Sequence, residues 1–254
     1  MPYLELPAAT IALVLVCGHE KKGYRRGVIV STVRLAVLAL SVLVGLGACG
    51  TARQVAEVQR LQARAAFERG VKHFNDREAP QALAALREAI ALDATSALYR
   101  DTLGLILTQL QRPDLAVEPF QQAIALDGQF ADAHFHLGVA LAESMKWGEA
   151  VAAYRQALSL PTLTVPDLAH QNLGLALYHL RQYPDAEREL RFAINLSPEM
   201  QAAYHHLGLV LVAQGRLDEA RISFTRARTL GAGTPFGEAA GQQLRALGGE
   251  GSPR

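Results

Sequence analysis

Between residues 63 and 234 apolar positions recur three and four apart, as in AAYHHLGLVLVAQG followed by RLDEARISFTRARTL. That period predicts pairs of amphipathic helices joined by short turns, one pair after another. Ahead of this region the pattern differs. Residues 6–18 (LPAATIALVLVCG) and 35–52 are two uncharged stretches, and the basic run HEKKGYRR lies between them.

The helix pairs keep a fixed beat. Gly70, Gly104, Gly138, Gly174 and Gly208 are separated by 34, 34, 36 and 34 residues. Twelve residues after each stands an alanine (Ala82, Ala116, Ala150, Ala186, Ala220), and seven further on another (Ala89, Ala123, Ala157, Ala193, Ala227). A glycine inside a helix costs roughly 1 kcal/mol against alanine, so its recurrence needs a packing reason. The glycine and first alanine are expected where the two helices of a unit cross, and the second alanine against the next unit. Larger residues four after the first alanine (Leu86, Phe120, Tyr154, Leu190, Phe224) are expected to fill the space between helices. Pro198, Ala94 and Gly128 stand where each second helix should end.

This pattern resembles the tetratricopeptide repeat over about residues 63–234, in five units: 63–96, 97–130, 131–166, 167–200 and 201–234. The likeness is fullest in QAAYHHLGLVLVAQGRLDEARISFTRA and weakest in the first unit, where Arg69 precedes Gly70. The resemblance implies an all-α, right-handed superhelical solenoid. Thr234-Pro235 reads as an N-cap and first helical residue, so 235–247 is expected as a capping helix and 248–254 as a tail. The turn between the third and fourth units, SLPTLTVPDLAHQ, is two residues longer than its counterparts. It reads either as a loose turn or as a functional loop.

The stretch VRLAVLALSVLVGLGACGT (33–51) decides the expected compartment. Lys21, Lys22, Arg25, Arg26 and Arg34, a short apolar run and small residues before a break describe a secretory signal over residues 1–48. Leu46-Gly47-Ala48-Cys49 resembles the bacterial lipobox. That resemblance implies cleavage before Cys49, a thioether from its sulfur to diacylglycerol and an acylated amine. Several acyl chains, each contributing roughly 0.8 kcal/mol per buried methylene, hold a protein durably where one does not. Gly50 rather than Asp after the cysteine implies the outer membrane, with the repeats facing the periplasm. Residues 49–62 are then the lipidated cysteine and a lead-in to the first helix. Residues 1–30 fit a signal poorly and suggest translation starting later, at Val28, Val30 or Val33. A plain signal anchor and a two-helix membrane hairpin are the competing readings.

Composition narrows the partners. A net charge of +1 argues against nucleic acid as the main partner, because phosphate binding needs a concentrated basic face. Of the two cysteines, Cys17 and Cys49, only Cys49 survives the expected cleavage, so no internal disulfide is available. There is no Gly-rich phosphate loop, G-x-S-x-G or paired cysteine, and no cofactor or catalytic residue is assigned. His134 and His136 are two apart on a helix and His205 and His206 adjacent, both poor metal pairs. They read as surface histidines, with one or two as polar groove contacts. Trp147 falls where Tyr183 falls in the next unit, so turn packing accounts for it.

In a stack of helix pairs, the first helix of each lines the concave face. The family's groove register, three residues before each glycine, one after and four after, carries over to Phe67, Phe135 and His205, to Val71, Leu105, Val139, Leu175 and Leu209, and to Phe74 and Tyr178. Asp101, Gln171, Thr108, Ala142 and Val212 complete the three sets. The middle set is wholly aliphatic and lacks the Asn and Lys with which chaperone-binding relatives clamp a carboxylate. The groove therefore suits an apolar or amphipathic protein segment; the alternative is that tight curvature buries these aliphatics as core. A lipobox with such repeats resembles the type IV pilus pilotin lipoproteins (the PilF/PilW/Tgl group). This implies a non-enzymatic scaffold whose partner is a secretin subunit. An adaptor for cell-envelope enzymes or outer-membrane protein assembly is the alternative, and an enzyme with an unmarked site a third.

Overall fold

The computed structural model describes residues 53–248; Cys49 and the expected signal region lie outside the described residues. The chain divides into two units, Met1–Glu57 and Val58–Arg254. Of the first, only residues 53–57 are described, and they are helical.

The described residues form eleven helices and no strand. They are α1 (53–75), α2 (Ala79–Leu92), α3 (Ala97–Gln109), α4 (Pro113–Leu126), α5 (Ala131–Glu143), α6 (Trp147–Leu158), α7 (Pro166–His179), α8 (Tyr183–Leu196), α9 (Gln201–Ala213), α10 (Leu217–Leu230) and α11 (Pro235–Ala246). Consecutive helices pair and the pairs stack as a solenoid, with α11 against α10 and α9 at the end.

Glycine makes each crossing possible. A Cβ on Gly104, Gly138, Gly174 or Gly208 would lie 2.5–2.6 Å from Phe120, Tyr154, Leu190 or Phe224, and on Gly70 it would lie 3.0 Å from Leu86. Those five large side chains are fully buried, as are both alanine series. Each fills the slot that a missing side chain leaves on the facing helix. One apolar core runs from α5 through α11, and smaller clusters join α1 to α2 and α3 and link α3, α4 and α5.

The turns follow local chemistry. The Ser96 and Thr234 hydroxyls cap α3 and α11 by accepting from the Tyr99 and Gly237 amides. After α2 and α4, Asp93 and Asp127 accept from the amides two residues on, holding the chain extended before the next helix. Within each pair the turn passes through the left-handed region at Arg77, Gln111, Met145, Arg181 and Gly215, so only the fifth uses glycine there.

The lengthened turn before α7 is docked rather than loose. The amide and hydroxyl of Thr164 both donate to Asp132 Oδ1 at 3.0 Å, and the Thr162 hydroxyl donates to the Gln129 carbonyl. Leu160 is buried, and Leu163 and Val165 pack on the main core. The two extra residues thus tie the fourth pair back to the start of the third.

Candidate partner-binding groove

The five aliphatic positions, Val71, Leu105, Val139, Leu175 and Leu209, are all half-buried. Each occupies the same place on a successive first helix, so they repeat at the solenoid's own step. Phe74 and Tyr178, three residues beyond Val71 and Leu175, are also half-buried.

The residues three before each glycine behave differently. Phe135 and His205 are only 7% and 9% exposed, so they pack inside the stack instead of lining an open groove. Phe135 lies on Tyr154 and His136, while His205 lies among His206, Phe224 and Phe236. Phe67 is half-buried and stacks on Tyr99, with ring centroids 4.8 Å apart. Asp101 and Gln171, at the same register, reach the following unit. Asp101 Oδ1 bonds His136 Nδ1 at 2.8 Å, and the Gln171 amide donates to His206 Nδ1 at 3.0 Å. Each bond joins residues 35 apart, at one repeated place on neighbouring first helices. This register staples units together.

The histidines are therefore not surface residues. His134, His205 and His206 are buried, and His136 is bonded to the buried Asp101. Burial pushes the His206 pKa down to about 3, with His205 and His179 adding repulsion, so the ring is neutral and accepts from Gln171. Among the described residues no three His, Cys, Asp or Glu side chains are grouped to hold a metal ion.

Trp147 does more than pack its own turn. Its ring stacks on His179 of the next unit, with centroids 3.9 Å apart and planes 10° from parallel. Beside it a pocket of about 270 Å³ opens between α5, α6 and α7, bringing the expected groove residues Val139 and Leu175 together with Ala142, Glu143, Trp147, Tyr154 and Asn172. The register chosen from the sequence missed Glu143 and Asn172; extending it to five after and two before the glycine reaches both. Glu143 makes no hydrogen bond or ion pair among the described residues, and burial raises its carboxyl above the usual range. Burial, with the Glu143 charge adding to it, pushes the Tyr154 phenol up as well. No helix among the described residues is long and apolar enough to cross a membrane.

The tetratricopeptide repeat family profile matches residues 102–162 and 172–235. No curated protein matches the sequence. The fold is similar to that of MamA, with a TM-score of 0.62 at 21% identity over 76% of this chain and 98% of that one. It is similar to PilW, a widely conserved type IV pilus biogenesis factor, with a TM-score of 0.60 at 21% identity over 75% and 95% of the chains. YrrB, a tetratricopeptide-repeat protein with an unusual peptide-binding site, gives 0.60 at 17% identity over 71% and 90%. At these identities the likeness establishes a shared fold. The helix pairs within residues 102–162 and 172–235 are tetratricopeptide repeats, the helical family of protein–protein interaction scaffolds.

Proposed function

We propose that this protein is a lipid-anchored periplasmic scaffold that holds a secretin subunit while the type IV pilus channel assembles in the outer membrane. The observation that carries the binding part is the row Val71, Leu105, Val139, Leu175 and Leu209, half-buried at one place on each successive first helix. Aliphatic carbon left half in water at a regular step suits a partner segment that runs along the stack and buries it, at roughly 25 cal/mol per Å². Such a surface offers binding area and no reacting group. The anchor rests on the tetrad Leu46-Gly47-Ala48-Cys49, and the client on the fold shared with PilW, which is a pilus biogenesis factor.

Deleting the gene in its own host tests the reading. Secretin multimers should disappear from the outer membrane and return with the wild-type gene. Cys49→Ala should restore them poorly, because the scaffold then lacks its anchor. Secretin multimers that persist in the deletion strain refute the pilus role. Altered envelope cross-linking or outer-membrane protein assembly in that strain would favour an adaptor instead.

A further inference from the structure

We infer that the pocket between α5, α6 and α7 receives one lysine or arginine side chain of the bound partner, its cationic head meeting Glu143 and its stem lying against Trp147, Val139 and Leu175. This rests on the reading of the first-helix face as the partner-binding surface, and adds the chemistry of one position in the bound segment.

The pocket's size sets the scale of its occupant. About 270 Å³ is below the roughly 300–1,000 Å³ typical of small-molecule sites, and it suits a single long side chain. Charge sets its sign. Glu143 is the pocket's only ionisable carboxylate, and it has neither hydrogen bond nor ion pair among the described residues. Lys146, one turn on, forms no ion pair with it, and burial lowers the pKa of His179, stacked on Trp147, which disfavours its cationic form. Glu143 stands exposed at the rim of this apolar pocket with its carboxylate partly desolvated and unpartnered, and an incoming ammonium or guanidinium supplies the partner. The half-buried Trp147 suits the same guest, because a cation is drawn to an aromatic ring and its methylenes pack there. The polarity is opposite to that of a site that clamps a carboxylate.

The test uses the full chain in mild detergent and fluorescein-labelled, apolar-flanked nonapeptides with Lys, Arg, norleucine or Glu at the centre. Anisotropy titrations should rank Lys and Arg about tenfold tighter than norleucine, and Glu weakest. Glu143→Gln should erase the preference for Lys over norleucine. Glu149→Gln, a carboxylate on α6 that does not line the pocket, should keep the wild-type ranking. If all four peptides bind the wild-type protein alike, the basic-side-chain pocket is wrong and the apolar groove stands. If none binds, both fail. Should Glu143→Gln not fold, the ranking on the wild-type chain still decides.

Discussion

Gly138 and Tyr154 compete for one space: a methyl group on Gly138 would lie 2.5 Å from Tyr154 Cε1. The ring is fully buried and cannot retreat without moving α6. Gly138→Ala should therefore destabilise the stack by roughly 1–3 kcal/mol through overpacking, outweighing alanine's helix propensity. Gly148→Ala is the control, since nothing lies within 4 Å of a Cβ there. It should be neutral or stabilising by up to about 1 kcal/mol. Urea unfolding followed by helical circular dichroism checks both, and equal effects would sink the crossing argument.

Met145 holds a left-handed backbone, φ 57°, at the turn where the fifth unit has Gly215. Its side chain is 75% exposed, so little packing is lost on removing it. The left-handed conformation costs a non-glycine residue about 1–2 kcal/mol, partly offset by the roughly 0.5–1 kcal/mol of extra unfolded-chain entropy that glycine brings. Met145→Gly should raise stability by up to about 1 kcal/mol, and Gly215→Ala should lower it by a similar amount. Paired melting curves give the two signs, and a destabilised Met145→Gly would contradict the strain.

These two features differ in how far the sequence exposes them. The crossing at Gly138 is legible because only one residue fits beneath Tyr154, so composition itself carries the mark at every unit. The left-handed turn is hidden, because Arg77, Gln111, Met145 and Arg181 bear no common signature and only Gly215 betrays the conformation. Of the groove register, Val139 and Leu175 are half-buried while Phe135 and His205 are buried in the stack. Whether a side chain three before the glycine faces solvent depends on the neighbouring unit, which lies 35 residues away for Asp101 and His136. The pocket at Glu143 needs two helix pairs and the Trp147–His179 stack to exist.

His206 makes the fold sensitive to acid. An unfolded histidine takes up a proton near pH 6.5, whereas His206 in the stack stays neutral down to about 3. Between those values the unfolded chain binds more protons. Stability from this group is thus complete above about pH 6.5 and is lost as pH falls toward 3, by at most about 1.4 kcal/mol per pH unit. His205 and His179, also lowered by burial, act in the same direction. His206→Gln should lessen the fall in urea midpoint between about pH 6.5 and 5.5. An undiminished slope would show that this ring is not the sensor.

Asp132 fastens the lengthened turn through Thr164, accepting from both its amide and its hydroxyl. Asp132→Ala leaves both donors to water, since Thr164 is exposed. The cost should be modest, about 1 kcal/mol, because solvent replaces what is lost. Local opening should respond more than global stability. Hydrogen exchange at the Thr164 amide should accelerate about fivefold or more while the amides inside α9 keep their rates. Uniform acceleration along the chain would mean the turn is not a local clasp.

Asp101 and His136 offer the sharpest separation of packing from polarity. Their side chains are 5% and 21% exposed, and the 2.8 Å bond between them joins two units. Asp101→Leu alone leaves His136 facing an apolar neighbour without its acceptor. His136→Leu alone leaves a buried carboxylate without its donor, and a charge stranded out of water is the costlier loss. Each single change should destabilise by roughly 1–3 kcal/mol, the second more than the first. The double change replaces both ends with hydrocarbon beside Phe120 and Phe135, which already flank the His136 ring. It should recover most of the loss, so that the cycle shows a coupling of about 1 kcal/mol or more. Additive singles would mean that the bond contributes nothing to joining the units, and that the stack coheres through Phe120, Phe135 and their apolar neighbours alone.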